Sequence, residues 1–102
     1  MLYTEKVEKT VEFADLRNKI QSVLDYIGME TSELEDEREY AVKKNQSIYH
    51  QAINNNIKQN YIISSTLQAI RTDIENMQED IQTDIKQEKN ALSTADQSED
   101  NA

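Results

Sequence analysis

Apolar residues recur along this chain in steps of three and four. The first stripe is Phe13, Leu16, Ile20, Val23 and Ile27, with Leu24 widening it. A 3-4 alternation places side chains on one helix face, so the pattern predicts a helix over about residues 5–27. A longer stripe comprises Val42, Gln46, Tyr49, Ile53, Asn56, Asn60, Ile63, Leu67, Ile70, Ile74, Met77 and Ile81. It keeps its phase throughout, and only Gln46, Asn56 and Asn60 are polar. Sustained periodicity of this kind predicts a long helix over about 33–92 with coiled-coil or bundle packing.

The segment between the stripes carries a stop signal followed by a start signal. Gly28 is the sole glycine, in a chain without proline. Glycine closes helices readily because it adopts the left-handed conformation without a Cβ clash. Ser32 with Glu35 then fits a capping box, in which the hydroxyl and the carboxylate satisfy orphan N–H groups of a new helix. A turn over 28–32 is expected, built by Tyr26, Gly28, Ser32 and Glu35. Short connections favour antiparallel neighbours.

The expected fold is therefore all-α, a single helical hairpin over 1–92 with one shorter and one long helix. The asparagines between Asn54 and Asn60 offer a place where the long helix could break, which would give a three-helix bundle instead. The final stretch 93–102, STADQSEDNA, is small, polar and acidic, and reads as a disordered tail.

Helix lengths bear on partners. At 1.5 Å per residue the shorter helix would span roughly 35 Å and the longer roughly 90 Å. Folded back, the shorter one would reach only to about residue 55. The rest of the long stripe would need a second chain, either another helical protein or a copy of this one. The expected interface is Tyr49, Ile53, Asn56, Asn60, Ile63, Leu67, Ile70, Ile74, Met77 and Ile81. Asn56 and Asn60 would act there on register, since a mismatched partner leaves a buried amide unpaired.

Charge sharpens this picture. The chain carries a formal −9, yet there is no Asp or Glu from Tyr40 to Thr72, and Asn45–Ile70 holds a single charge, Lys58. Solvated helix faces usually carry interspersed charge, so an uncharged section suggests that protein covers more than one face. The acidic field and the scattered basic residues argue against nucleic acid.

Candidate chemistry is thin. His50 has no carboxylate three or four residues away, and the runs ELEDERE and ENMQED lack the pattern of a calcium loop. There is no Glu-x-x-His pair for a di-metal bundle, no glycine-rich phosphate loop and no cysteine. The expectation is a protein with no enzymatic activity, cofactor or metal. No apolar run approaches the ~18 residues of a membrane span, and the N-terminus has no signal-peptide core. A cytoplasmic protein is expected, or one exported without a cleaved signal.

Tyr26-Ile27-Gly28 at the expected turn has the aromatic-x-Gly form. With the acidic, cysteine-free hairpin, it resembles the small helical-hairpin partners of the type VII secretion system. These are the Trp-x-Gly proteins and the chaperones that accompany LXG-domain toxins; tyrosine stands here where the family has tryptophan. The resemblance implies a targeting chaperone that pairs with another helical protein. The residues by themselves indicate a non-enzymatic protein-interaction module. Two alternatives are a homo-oligomeric coiled-coil scaffold or spacer, for example from a phage, and an acidic regulator of a basic partner.

Overall fold

A computed structural model of the chain describes residues 2–100, with side chains described through Leu92. The fold is an all-α hairpin of two helices, α1 (Tyr3–Lys43) and α2 (Ser47–Asp100).

The turn lies at residues 44–46, some sixteen positions beyond the expected 28–32. Asn45 takes φ 56°, the left-handed region that asparagine tolerates better than other non-glycine residues. Its N–H donates to the Val42 carbonyl at 3.1 Å, and the Gln46 N–H donates to the Ala41 carbonyl at 3.0 Å. This pair of bonds is a Schellman closure with Asn45 in the place usually held by glycine. The next helix starts at once, because the His50 N–H reaches the Gln46 carbonyl at 2.9 Å.

The expected turn residues all lie inside α1. Gly28 has an ordinary helical φ, so its permissiveness is not used. Ser32 and Glu35 are interior helix positions and form no cap; Glu35 instead accepts a hydrogen bond from Tyr61. A single glycine costs a helix only about 1 kcal/mol relative to alanine. The heptad phase Phe13, Ile20, Ile27 continues through Leu34 to Ala41 on the far side of Gly28. Packing along that face outweighs the local stop signal.

Two other expectations meet different outcomes. The long helix runs unbroken through Asn54–Asn60, so the three-helix alternative does not arise. The backbone of α2 also continues to Asp100 through most of the stretch read as a disordered tail; Asn101 and Ala102 lie outside the described residues.

The chain divides into two compact units: residues 18–71, and residues 1–17 with 72–102. Within 18–71 the helices pair antiparallel, since Gln21 meets Arg71, Thr31 meets Asn60, and Arg38 meets Asn54. The core is a cluster of Ala41, Ile53 and Ile57 with Leu34 packed on it, and Ile27 is buried nearby along α1. In the other unit Ile74 is the buried apolar residue among the described side chains, with Phe13, Ile81 and Ile85 half-buried. There Gln78 donates to the Thr10 carbonyl at 3.1 Å and Lys6 forms an ion pair with Glu88.

Candidate interaction surface

The inward seam of α2 comprises His50, Ile53, Ile57, Asn60, Ser64, Leu67, Arg71, Ile74, Gln78, Ile81, Ile85 and Glu88, all buried or half-buried. This seam and the stripe read from the sequence share every second member: Ile53, Asn60, Leu67, Ile74 and Ile81. They part at the members between. The seam takes Ile57, Ser64, Arg71 and Gln78, whereas the more apolar stripe takes Asn56, Ile63, Ile70 and Met77. The hairpin thus closes over the less apolar flank.

Polar pairing makes this possible. Asn60 donates to the Thr31 hydroxyl at 3.2 Å, and that hydroxyl donates to the Ile27 carbonyl at 2.7 Å. Arg71 donates to Gln21, and Arg38 donates to Asn54 at 3.1 Å. Polar groups on a helix seam are tolerated when each finds a partner. Arg17 and Leu24 likewise occupy the inner side of α1, while Leu16 and Val23 of the expected first stripe are exposed.

The ten residues expected to meet a second chain therefore divide. Ile53, Asn60, Leu67, Ile74 and Ile81 belong to the inner seam, and Ile74, at 6 % exposure, lies well beyond residue 55. The longer α1 covers what a helix ending at residue 27 could not reach. Asn60 has an intrachain partner, so a register role toward another chain does not fit it. Tyr49, Asn56, Ile63, Ile70 and Met77 stay exposed.

Within residues 18–71 the exposed members have neighbours that the stripe did not include. Ile48 is 85 % exposed and Ile62 67 %. Helical spacing places both beside Tyr49, Ile63 and Ile70, through Ala52, Gln59 and Thr66. The resulting outer face contains Ile48, Tyr49, Ala52, Asn55, Asn56, Gln59, Ile62, Ile63, Thr66, Ala69 and Ile70. Every one is exposed and none is charged. The exposed Lys58, one turn before Ile62, is the single charge that borders this face. The charge-free run in the sequence could have located this face; a single 3-4 stripe could not, because the face lies on the side of α2 away from the seam.

The remaining chemistry is dispersed. Tyr49 donates to Glu37 at 3.2 Å and Tyr61 to Glu35 at 2.8 Å. Each hydrogen bond to a carboxylate, followed by the carboxylate's charge, holds the phenol above its usual pKa. His50 is a half-buried residue in the first turn of α2. Among the described residues no group of three or more His, Cys, Asp or Glu is placed to hold a metal ion. No helix among them is long and apolar enough to cross a membrane. Tyr26-Ile27-Gly28 lies within α1, and the turn of the hairpin contains no aromatic-x-Gly. Compared with known proteins, the chain matches no family model, no curated protein and no solved structure.

Proposed function

We propose that this chain is a non-enzymatic helical interaction module that docks through the outer face of α2 between Ile48 and Ile70. The observation that carries the reading is the set of exposed isoleucines on a face bordered by a single charge, Lys58, with Ile48 and Ile62 the most exposed. Apolar surface left in water forfeits about 25 cal/mol per Å². Exposed apolar side chains grouped on one face in this way are characteristic of an interaction site. Binding is favoured over catalysis because the Tyr49 and Tyr61 hydroxyls are directed to Glu37 and Glu35.

The test is retrieval of binding partners, including untagged copies of the chain, by a tagged copy expressed in its source cells. Ile63→Lys should lose whatever is retrieved, with helicity unchanged by circular dichroism. Met29→Lys, on the outer side of α1, should retain it. Retrieval that ignores Ile63 would sink the proposal.

A narrower form follows from the resemblance to type VII secretion partners. The hairpin architecture and the acidic composition support it, and the interior position of Gly28 weighs against it. It requires a stable complex with the helical N-terminal segment of a toxin encoded beside this chain. Co-expression of the two without co-purification would remove it.

A further inference from the structure

We propose that the occupant of the α2 outer face is a second copy of this chain, bound antiparallel about a two-fold axis at Gln59. The inference rests on the reading of that face as a docking surface and names its partner.

Charge selects the partner first. The chain carries −9, so most contacts between copies bring like charge together. The outer positions of α1 in the same unit include Lys19, Glu33, Asp36, Glu37 and Lys43, and a contact there would set acid against acid. The α2 face has one charge at its border, Lys58, so two copies meeting there bring little like charge together. It also offers nothing to pair with a basic partner, which would be drawn to α1 instead.

Hydrogen bonding selects next. Asn55, Asn56 and Gln59 occupy the middle of the face. A wholly apolar partner would bury these amides unpaired, at about 1–3 kcal/mol for each unsatisfied group. An amide is both donor and acceptor and is therefore complementary to another amide. A second copy supplies amides of its own at the same place.

Shape supplies the geometry. The face ends at Ile48 and Ile70, and its midpoint is Gln59. Antiparallel pairing centred there brings the two Gln59 side chains together, with Asn55 and Asn56 one turn away. It sets Ile70 against Ile48 of the second copy and Thr66 against Ala52 of the second copy. Three heptads are covered, with isoleucines near both ends and amides at the centre. An isologous contact of this kind closes on itself and leaves no open end for further growth.

The test uses the whole chain, purified alone. Sedimentation equilibrium at micromolar concentration should give twice the 11.8 kDa chain mass. Substituting Ile62 and Ile63 together by Lys should weaken association by more than about 100-fold, with helicity retained. Because the chain has no cysteine, single substitutions report the geometry under mild oxidation. Gln59→Cys should cross-link to itself. Ile48→Cys and Ile70→Cys should cross-link only when mixed. A monomer at these concentrations overturns the proposal, and so does self-cross-linking of Ile48→Cys, which would mean parallel pairing. A monomer that still retrieves another protein through Ile63 leaves the docking surface standing and refutes only the identity of its occupant.

Discussion

Within residues 18–71 the two helices of the hairpin present opposite outer surfaces. The outer positions of α1 interleave Lys19, Glu33, Asp36, Glu37 and Lys43 with Val23, Tyr26 and Met29. The equivalent positions of α2 between Ile48 and Ile70 carry isoleucine, amides and small residues with a single charge, Lys58. The two helices meet along one seam and have comparable exposure outside it, so burial within the hairpin does not explain the contrast. α1 has the composition of a helix with one packed face and one solvated face. α2 has one packed face and an outer face from which charge is nearly absent.

The contrast is most readily broken at the inner face. Ile57→Ala should destabilise the hairpin by about 2–5 kcal/mol, since Ile57 is 1 % exposed within the core cluster. Ile62→Ala, measured by urea denaturation at a concentration where the chain is monomeric, should cost about 0.5 kcal/mol or less. Equal losses at both positions would mean that α2 has no distinct outer face.

On α1 the sign reverses. Gly28→Ala should stabilise by about 1 kcal/mol, because the site is helical and an added Cβ meets nothing within 4 Å. A loss of stability in the denaturation curve would instead mark Gly28 as a turn residue and shorten α1.

The connection between the helices gives an effect of similar size. Asn45→Val should cost about 1 kcal/mol, because a β-branched residue is strained at φ 56°. Asn45→Gly should be neutral or slightly stabilising. The melting temperatures of the two variants should differ in that order.

The smallest effect is electrostatic and joins the two helices. The Tyr61 phenol is raised above its usual pKa chiefly by its hydrogen bond to Glu35. A raised folded-state value means that the stabilisation is present below the unfolded phenol pKa and is lost as pH rises through the folded one. Glu35→Gln should lower the Tyr61 titration midpoint, followed by ultraviolet absorbance, and should make alkaline unfolding less steep. An unchanged midpoint would show that the contact does not persist in solution.

How much of this was legible in the sequence depends on the kind of signal. The helical character, the antiparallel hairpin and the continuity of α2 follow from unbroken 3-4 phasing and the absence of proline. The position of the turn does not follow from the strongest local signals, because Gly28 and the Ser32–Glu35 box are compatible with helix interior as well as with helix ends. The better signal was heptad continuity from Ile27 to Leu34 and Ala41, ending at Asn45. The seam was half legible for a geometrical reason. Two stripes that share Ile53, Asn60, Leu67, Ile74 and Ile81 diverge only in the members between, and apolarity favoured the flank with Ile63 and Ile70. Nothing in the periodicity of one helix says which flank its neighbour takes. That depends on cross-helix pairs such as Thr31 with Asn60, which become visible only when both helices are in place.

The cluster beside the turn has a kinetic consequence. Ala41 and Ile53 are close in sequence, whereas Lys6 and Glu88 are 82 residues apart. Loop-closure entropy grows as the logarithm of length, so joining the distant pair first would cost roughly 1.7 kcal/mol more than joining the near one. The best-buried contacts are thus also among the earliest that the chain can make, and folding should begin at the hairpin tip and zip toward the termini. Ile57→Ala should then mainly slow refolding, while Ile81→Ala should mainly speed unfolding. The reverse pattern in stopped-flow traces would place the nucleus at the open end.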